Sequence, residues 1–154
     1  MATFEKINDF VEHVNEGAHA MQTNNLRLAL SATNPTGEAS NPKADGNGLL
    51  ANVTQIAYTN LTGDPTSRDI TLSASSQTAG VYSLSLTDLT LTAGGGAIAA
   101  FEWIYVFNEN TAVLVDPLIG VYDYGSLLTL NDGESLTVDF GANGAGAGNL
   151  YTMT

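Results

Sequence analysis

The side chains able to do chemistry are few in kind. His13 and His19 are the only imidazoles, and cysteine is absent. That absence removes thiolate nucleophiles, zinc–thiolate sites and disulfides. The two histidines fall six apart in a segment of helical periodicity. Such spacing puts them about 120° apart around a helix, so they do not share a face as ligands at i and i+4 would. They read as surface or half-buried helix residues. No Gly-x-Ser-x-Gly elbow offers a serine nucleophile. The glycines at 46 and 48, at 94–96 and at 144, 146 and 148 complete neither a phosphate loop nor Gly-x-Gly-x-x-Gly.

Carboxylates are abundant, and Asp116, Asp123, Asp132 and Glu134 lie near the most aromatic stretches. Two such groups flanking a sugar would make a glycosidase. Asp116 precedes Pro117, however, and Asp132 sits in Asn131-Asp132-Gly133-Glu134, which are turn signals. Asn131, Asp132 and Glu134 supply oxygens of the kind calcium takes, without the spaced acid series of an EF-hand loop. Trp103, Tyr105, Tyr122 and Tyr124 could line a sugar-binding face, but aromatics of this kind more often build a core or a subunit interface. The expectation is a chain with no catalytic, cofactor-binding or metal-ligating residue, and no enzyme.

The elements that position these groups begin with a helical repeat. Phe4, Ile7, Val11, Val14, Ala18 and Met21 recur at steps of three and four, beside an acidic stripe of Glu5, Asp9, Glu12 and Glu16 that reads as a solvated face. Thr3 as N-cap and Thr23-Asn24-Asn25 as a stop predict an amphipathic helix over residues 1–22. Beyond it the pattern is β. Leu26, Leu28 and Leu30 alternate with Arg27 and Ala29, and residues 31–48, with Pro35, Gly37, Pro42, Gly46 and Gly48, form a long loop. Weaker strands are expected at 53–58 and 70–73, and alternating ones at 82–86 and 89–91. The segment from Leu128 to Phe140 turns at Asp132-Gly133 and predicts a hairpin. The glycine–alanine run at 141–148 is expected to be flexible or tightly turned, with a last short strand at 150–153.

Two stretches are apolar on both faces. In 101–107 every odd position is aromatic, yet Ile104 and Val106 occupy even ones; in 118–122, Ile119 and Val121 accompany Leu118 and Tyr122. A strand of this kind is covered on both sides. One cover is an opposing sheet; the other is a helix, a long loop or another subunit. The helix face of Phe4, Ile7, Val11 and Val14 is the expected cover, lying over the outer side of Ile104, Val106, Ile119 and Val121 or of their counterparts in a neighbouring subunit. These eight residues are the candidate helix–sheet or subunit interface.

The fold expected is mainly β: a single domain over 1–154, with a helix at 1–22 and a β domain at 23–154. The β domain reads as an antiparallel β-sandwich or jelly-roll-like barrel of about eight strands. Of 154 residues, 16 are acidic and four basic (Lys6, Arg27, Lys43 and Arg68), for a net charge of −12. The cations are scattered, so the chain offers nothing to neutralise phosphates, and neither nucleic acid nor an anionic membrane is an expected partner. No signal peptide is read at the start, no stretch reaches the ~20 apolar residues of a spanning helix, and Asn-x-Thr at Asn52 and Asn60 reads as chance.

Five segments carry a family resemblance: 4–12 (FEKINDFVE), 26–30 (LRLAL), 52–58 (NVTQIAY), 116–126 (DPLIGVYDYGS) and 131–140 (NDGESLTVDF). Together they resemble small virion-associated proteins of tailed bacteriophages. The resemblance implies a non-catalytic particle component made in the host cytoplasm. The first such role is a capsid decoration, or cement, protein bound to the major capsid protein or another virion protein. A sheet domain with few charges has edges that invite pairing, and a lattice rewards repeated weak contacts, so a homo-oligomer is expected; the resemblance implies a trimer as its first form. Alternatives are a neck, tail or fibre component, or a carbohydrate-binding module using the aromatic strand face.

Overall fold

The computed structural model describes residues 3–22, 25–109 and 112–140, together with the backbone of 148–153. Among them are β1 (Thr3–Lys6), α1 (Phe10–Asn15), β2 (Asn25–Ser31), β3 (Asp69–Ile70), β4 (Leu72–Thr78), β5 (Val81–Leu86), β6 (Leu89–Thr92), β7 (Phe101–Glu109), β8 (Leu118–Leu128), β9 (Ser135–Val138) and β10 (Gly148–Met153). A five-stranded sheet runs β1-β8-β7-β2-β3, a three-stranded sheet β10-β5-β4, and a ribbon β6-β9. All pairings are antiparallel. Leu28, Leu30, Ile104, Val106 and Ile119 of the large sheet pack with Leu84, Leu86, Leu91 and Val138 of the smaller ones in one buried cluster. The mainly β, sandwich-like fold read from the alternation is therefore present.

The N-terminus departs from its helical repeat. Residues 3–6 are a strand paired with β8, Thr3 opposite Asp123 and Lys6 opposite Gly120, and the helix occupies only Phe10–Asn15. Two causes act. The edge of β8 takes Thr3–Lys6 as a neighbour, which satisfies backbone groups a helix would have satisfied locally. At the other end Gly17, at φ +77°, stops the helix. The Ala18 N–H donates to the His13 carbonyl at 2.8 Å and that of Gly17 to Val14 at 3.2 Å, the paired bonds of a Schellman cap. Phe4, Val11 and Val14 therefore do not share a helix face.

The two-faced strands are real, and a long loop covers their outer side. Trp103, Tyr105 and Phe107 of β7, with Ala29, Leu118, Val121 and Ile7, form a second buried cluster that includes Val53 and is packed by Leu50. The expected strand at 53–58 is instead irregular backbone following a turn of 3-10 helix at Leu50–Asn52. It is sewn to the sheet edge by edge. The Leu118 N–H donates to the Gly48 carbonyl (2.8 Å), Leu50 to Asp116 (3.0 Å) and Ile56 to Leu30 (2.9 Å). The Ser31 hydroxyl donates to the Thr54 carbonyl at 2.7 Å. β8 serves both faces through a bulge: Phe107 pairs with Leu118 and Val106 with Gly120. Ile119 is the extra residue, so it joins Gly120 on the inner side.

The Asp-Gly turn is formed, with Gly133 at φ +81° and the Glu134 N–H donating to the Asn131 carbonyl at 2.9 Å. The strands flanking it do not pair as a hairpin. β9 pairs with β6, Leu136 opposite Leu91, so the turn carries the chain from the large sheet to the ribbon. β10 supplies the last strand against β5. The glycine–alanine expectation falls on residues 141–147, outside the described residues.

Candidate functional site

The eight expected interface residues are scattered rather than gathered. Phe4 stacks on Tyr122 with ring centroids 4.8 Å apart, on the inner side. Ile104, Val106 and Ile119 lie in the inner cluster, and Val14 packs against it. Ile7 and Val121 belong to the outer cluster. Val11 is 42 % exposed. The helix-over-strands pairing is thus not formed within the chain: Ile7, the residue after β1, is the only one of the four helix-face residues on the outer side.

The carboxylates serve as brackets for turns. Asp132 accepts from the Gly95 N–H at 2.8 Å and the Gly96 N–H at 3.3 Å. Glu134 accepts from the Asn131 N–H at 2.8 Å, and Asp123 from Gly125 at 2.7 Å. Asp116 stands at φ +49° before Pro117, where its carbonyl meets Leu50. Asp9 holds the covering loop: its two oxygens accept from Gly46 (2.9 Å) and Gly48 (2.8 Å). A Cβ on Gly48 would lie 2.9 Å from that of Asp9, so only glycine lets the loop come this close. Of the stripe expected to be solvated, Glu5, Glu12 and Glu16 are exposed, whereas Asp9 is buried.

Trp103, Tyr105 and Tyr122 are buried, so they are core rather than a sugar platform, and only Tyr124 among the four aromatics reaches solvent. Burial pushes the Tyr105 and Tyr122 hydroxyls well above the ordinary phenol range.

The histidines come together against the sheet. With the helix stopped at Asn15, the chain turns at Gly17 and brings the His19 ring to 5.9 Å from that of His13 and 5.1 Å from Phe10. Both imidazoles are buried, against the surface or half-buried placement expected of them. Asn108, the last buried residue of β7, has its Nδ2 at 3.2 Å from His19 Nδ1. An amide nitrogen donates, so Nδ1 accepts and the neutral ring carries its proton on Nε2. His13 Nδ1, His19 Nε2 and Asn108 Oδ1 are buried with no hydrogen-bond partner among the described residues. Burial, and secondarily the neighbouring His13, lower the His19 pKa from 6.5 to about 4. His19 therefore stays neutral at pH 7. No nucleophile accompanies the pair and no three metal-ligating side chains gather among the described residues. Asn108 could have been suspected from sequence, because an amide inside an apolar strand signals a buried polar partner.

A different kind of surface stands at the far side of the sandwich. No charged residue occurs from Ile70 to Thr87, the segment that contains β4, β5 and the turn between them. Ser73, Ala74, Ser76, Gln77 and Thr78 are exposed, and β4 is the edge of its sheet. Exposed apolar residues elsewhere are dispersed. Val113 and Val115 precede β8, whereas Tyr124 and Leu127 lie in its distal half, where four residues loop out between the pairs Trp103–Asp123 and Phe101–Leu128. No family model, curated protein or solved structure matches this chain.

Proposed function

We propose that the chain is a non-catalytic structural protein of a tailed-phage particle. Its role on this reading is capsid decoration, binding the assembled shell as a homo-oligomer and bracing it. The observation that carries the non-catalytic part is the use made of the acids. Asp9 spends both carboxylate oxygens, and Asp123, Asp132 and Glu134 one each, on backbone N–H groups of turns. Fixing a turn is a structural task, different from that of the acid pair glycoside hydrolysis needs. The particle assignment is supported by the resemblance of residues 116–126 and 131–140, which supply most of the interior strand β8, the Asp132-Gly133 turn and β9. A strong acidic charge and an uncharged, exposed strand edge suit a protein that is soluble alone and makes weak contacts many times over on a lattice.

Quantitative mass spectrometry of purified particles tests the proposal. Copies near the number of the major shell protein, and shells that lose heat resistance when the gene is deleted, are the expected result. A copy number of a few to a dozen would move the assignment to neck, tail or fibre. Absence from intact particles, or turnover on glycan, ester or peptide substrates abolished by one Asp or Glu substitution, would overturn it.

A further inference from the structure

We propose that β4 is a self-association edge: β4 of one copy pairs antiparallel with β4 of a second copy, joining two three-stranded sheets into one continuous sheet. This goes beyond the particle reading and concerns the free protein.

The geometry of the hairpin fixes which groups are on offer. Ala79 and Gly80 close it at φ +51° and +83°, a two-residue turn of the type whose flanking residues form a hydrogen-bonded pair. That pair is Thr78 and Val81. Bonded and non-bonded pairs alternate along an antiparallel ladder. Thr78, Ser76 and Ala74 therefore turn their N–H and C=O toward β5, and Gln77 and Ser75 turn theirs outward. A register shift between Leu72 and Ala74 sits at the base of the strand, leaving 74–78 regular. Among the described residues β4 has β5 as its only strand partner.

Edges are normally protected by charge, proline, shortness or cover. β4 runs seven residues, LSASSQT, without lysine, proline or any charged group. Leu72 and Gln77 apart, its side chains are small, so a symmetric copy brings mostly Ser, Ala and Thr into the seam with little bulk.

Charge selects a second copy as the occupant. A chain of net −12 repels itself wherever its acids lie. Between Ile70 and Thr87 there is nothing to repel, and two copies meeting there keep Asp69 and Asp88 beyond the ends of the shared strands. A two-fold pairing is also self-complementary, because each outward N–H at Ser75 and Gln77 finds an outward carbonyl of the same set.

Sedimentation equilibrium of the full chain, wild type and three variants, tests the proposal. The wild type is expected to form a dimer whose affinity rises with salt, as like charges are screened. Ser75→Pro removes the outward N–H and leaves the bonds to β5; by symmetry two hydrogen bonds are lost, so dimerisation should weaken roughly thirty-fold. Ser75→Ala is the control. It removes the hydroxyl contact with Tyr82 (3.0 Å) and keeps the N–H, so it should dimerise like the wild type. Ser76→Glu keeps the hairpin's backbone bonds and brings two carboxylates onto one face of the shared sheet; it should dissociate the dimer in low salt and permit it in high salt. The proposal is overturned if the wild type stays monomeric to millimolar concentration. It is equally overturned by a strict trimer, or by folded Ser75→Pro and Ser76→Glu proteins that associate as the wild type does.

Discussion

Acidification should destabilise this protein through one buried ring. His19 has its Nδ1 facing Asn108 and its ring close to those of Phe10 and His13. Its pKa falls from 6.5 in the unfolded chain to about 4 in the fold, chiefly by burial and then by His13. A folded pKa below the unfolded one means that protons bind the unfolded chain more tightly. The stability linked to this ring is therefore whole above pH 6.5, erodes as pH falls from 6.5 to about 4, and is gone below that. The gap is worth about 3 kcal/mol, at about 1.4 kcal/mol per tenfold in proton affinity. Carboxylates titrate in part of the same window, so the measurement is a difference. Urea unfolding of wild type and His19→Asn is followed at pH 7.5, 6, 5 and 4. Asn retains an acceptor for Asn108 and cannot titrate; it costs a constant amount for the lost ring. The wild type's advantage over the variant should shrink by about 3 kcal/mol between pH 7.5 and 4. An advantage that stays flat across that range would refute the reasoning, since it would mean that His19 takes up no extra proton on unfolding.

Asp9→Ala removes the buried carboxylate that holds Gly46 and Gly48. It should lower stability by about 2–4 kcal/mol, and hydrogen exchange should quicken along the covering loop before it does in β7. Gly120→Ala places a methyl group on the Phe4 ring and 3.0 Å from the Glu5 carbonyl. It should cost about 1–3 kcal/mol and loosen β1 from β8, seen as faster exchange of the Thr3–Lys6 amides with the rest of β8 unchanged.

The parts of the fold legible in the sequence are those set by local alternation. Leu26, Leu28 and Leu30, or Leu84 and Leu86, bury because a strand with one apolar face has one place to put it. The two-faced character of 101–107 and 118–122 was equally legible, along with the need for a second cover. Which segment covers them was not. The repeat from Phe4 to Met21 fits a helix as well as it does because a strand, a short helix and a buried turn happen to place apolar residues three and four apart. Gly17 was the local sign that the helix ends, and β1 depends on a partner, β8, that no local pattern names. The loop cover depends on Asp9 meeting Gly46 and Gly48, a contact between residues remote in sequence. The Asp132-Gly133 turn was readable as a turn; its strands pair elsewhere because Leu136 and Val138 have neighbours in β6.

The stitching of the N-terminus to the rest has a consequence for how the chain reaches its fold. Thr3 pairs with Asp123 across about 120 intervening residues, and Leu118 closes on Gly48. Such long closures are slow to form, because chain entropy is spent before the contacts repay it. During synthesis, β1 has no neighbour until β8 has left the ribosome. Until then the apolar side chains of β7 emerge with one of their two covers unfinished. Mutations that weaken β8 should accordingly reduce the yield of soluble protein more than they reduce the melting temperature of the molecules that do fold.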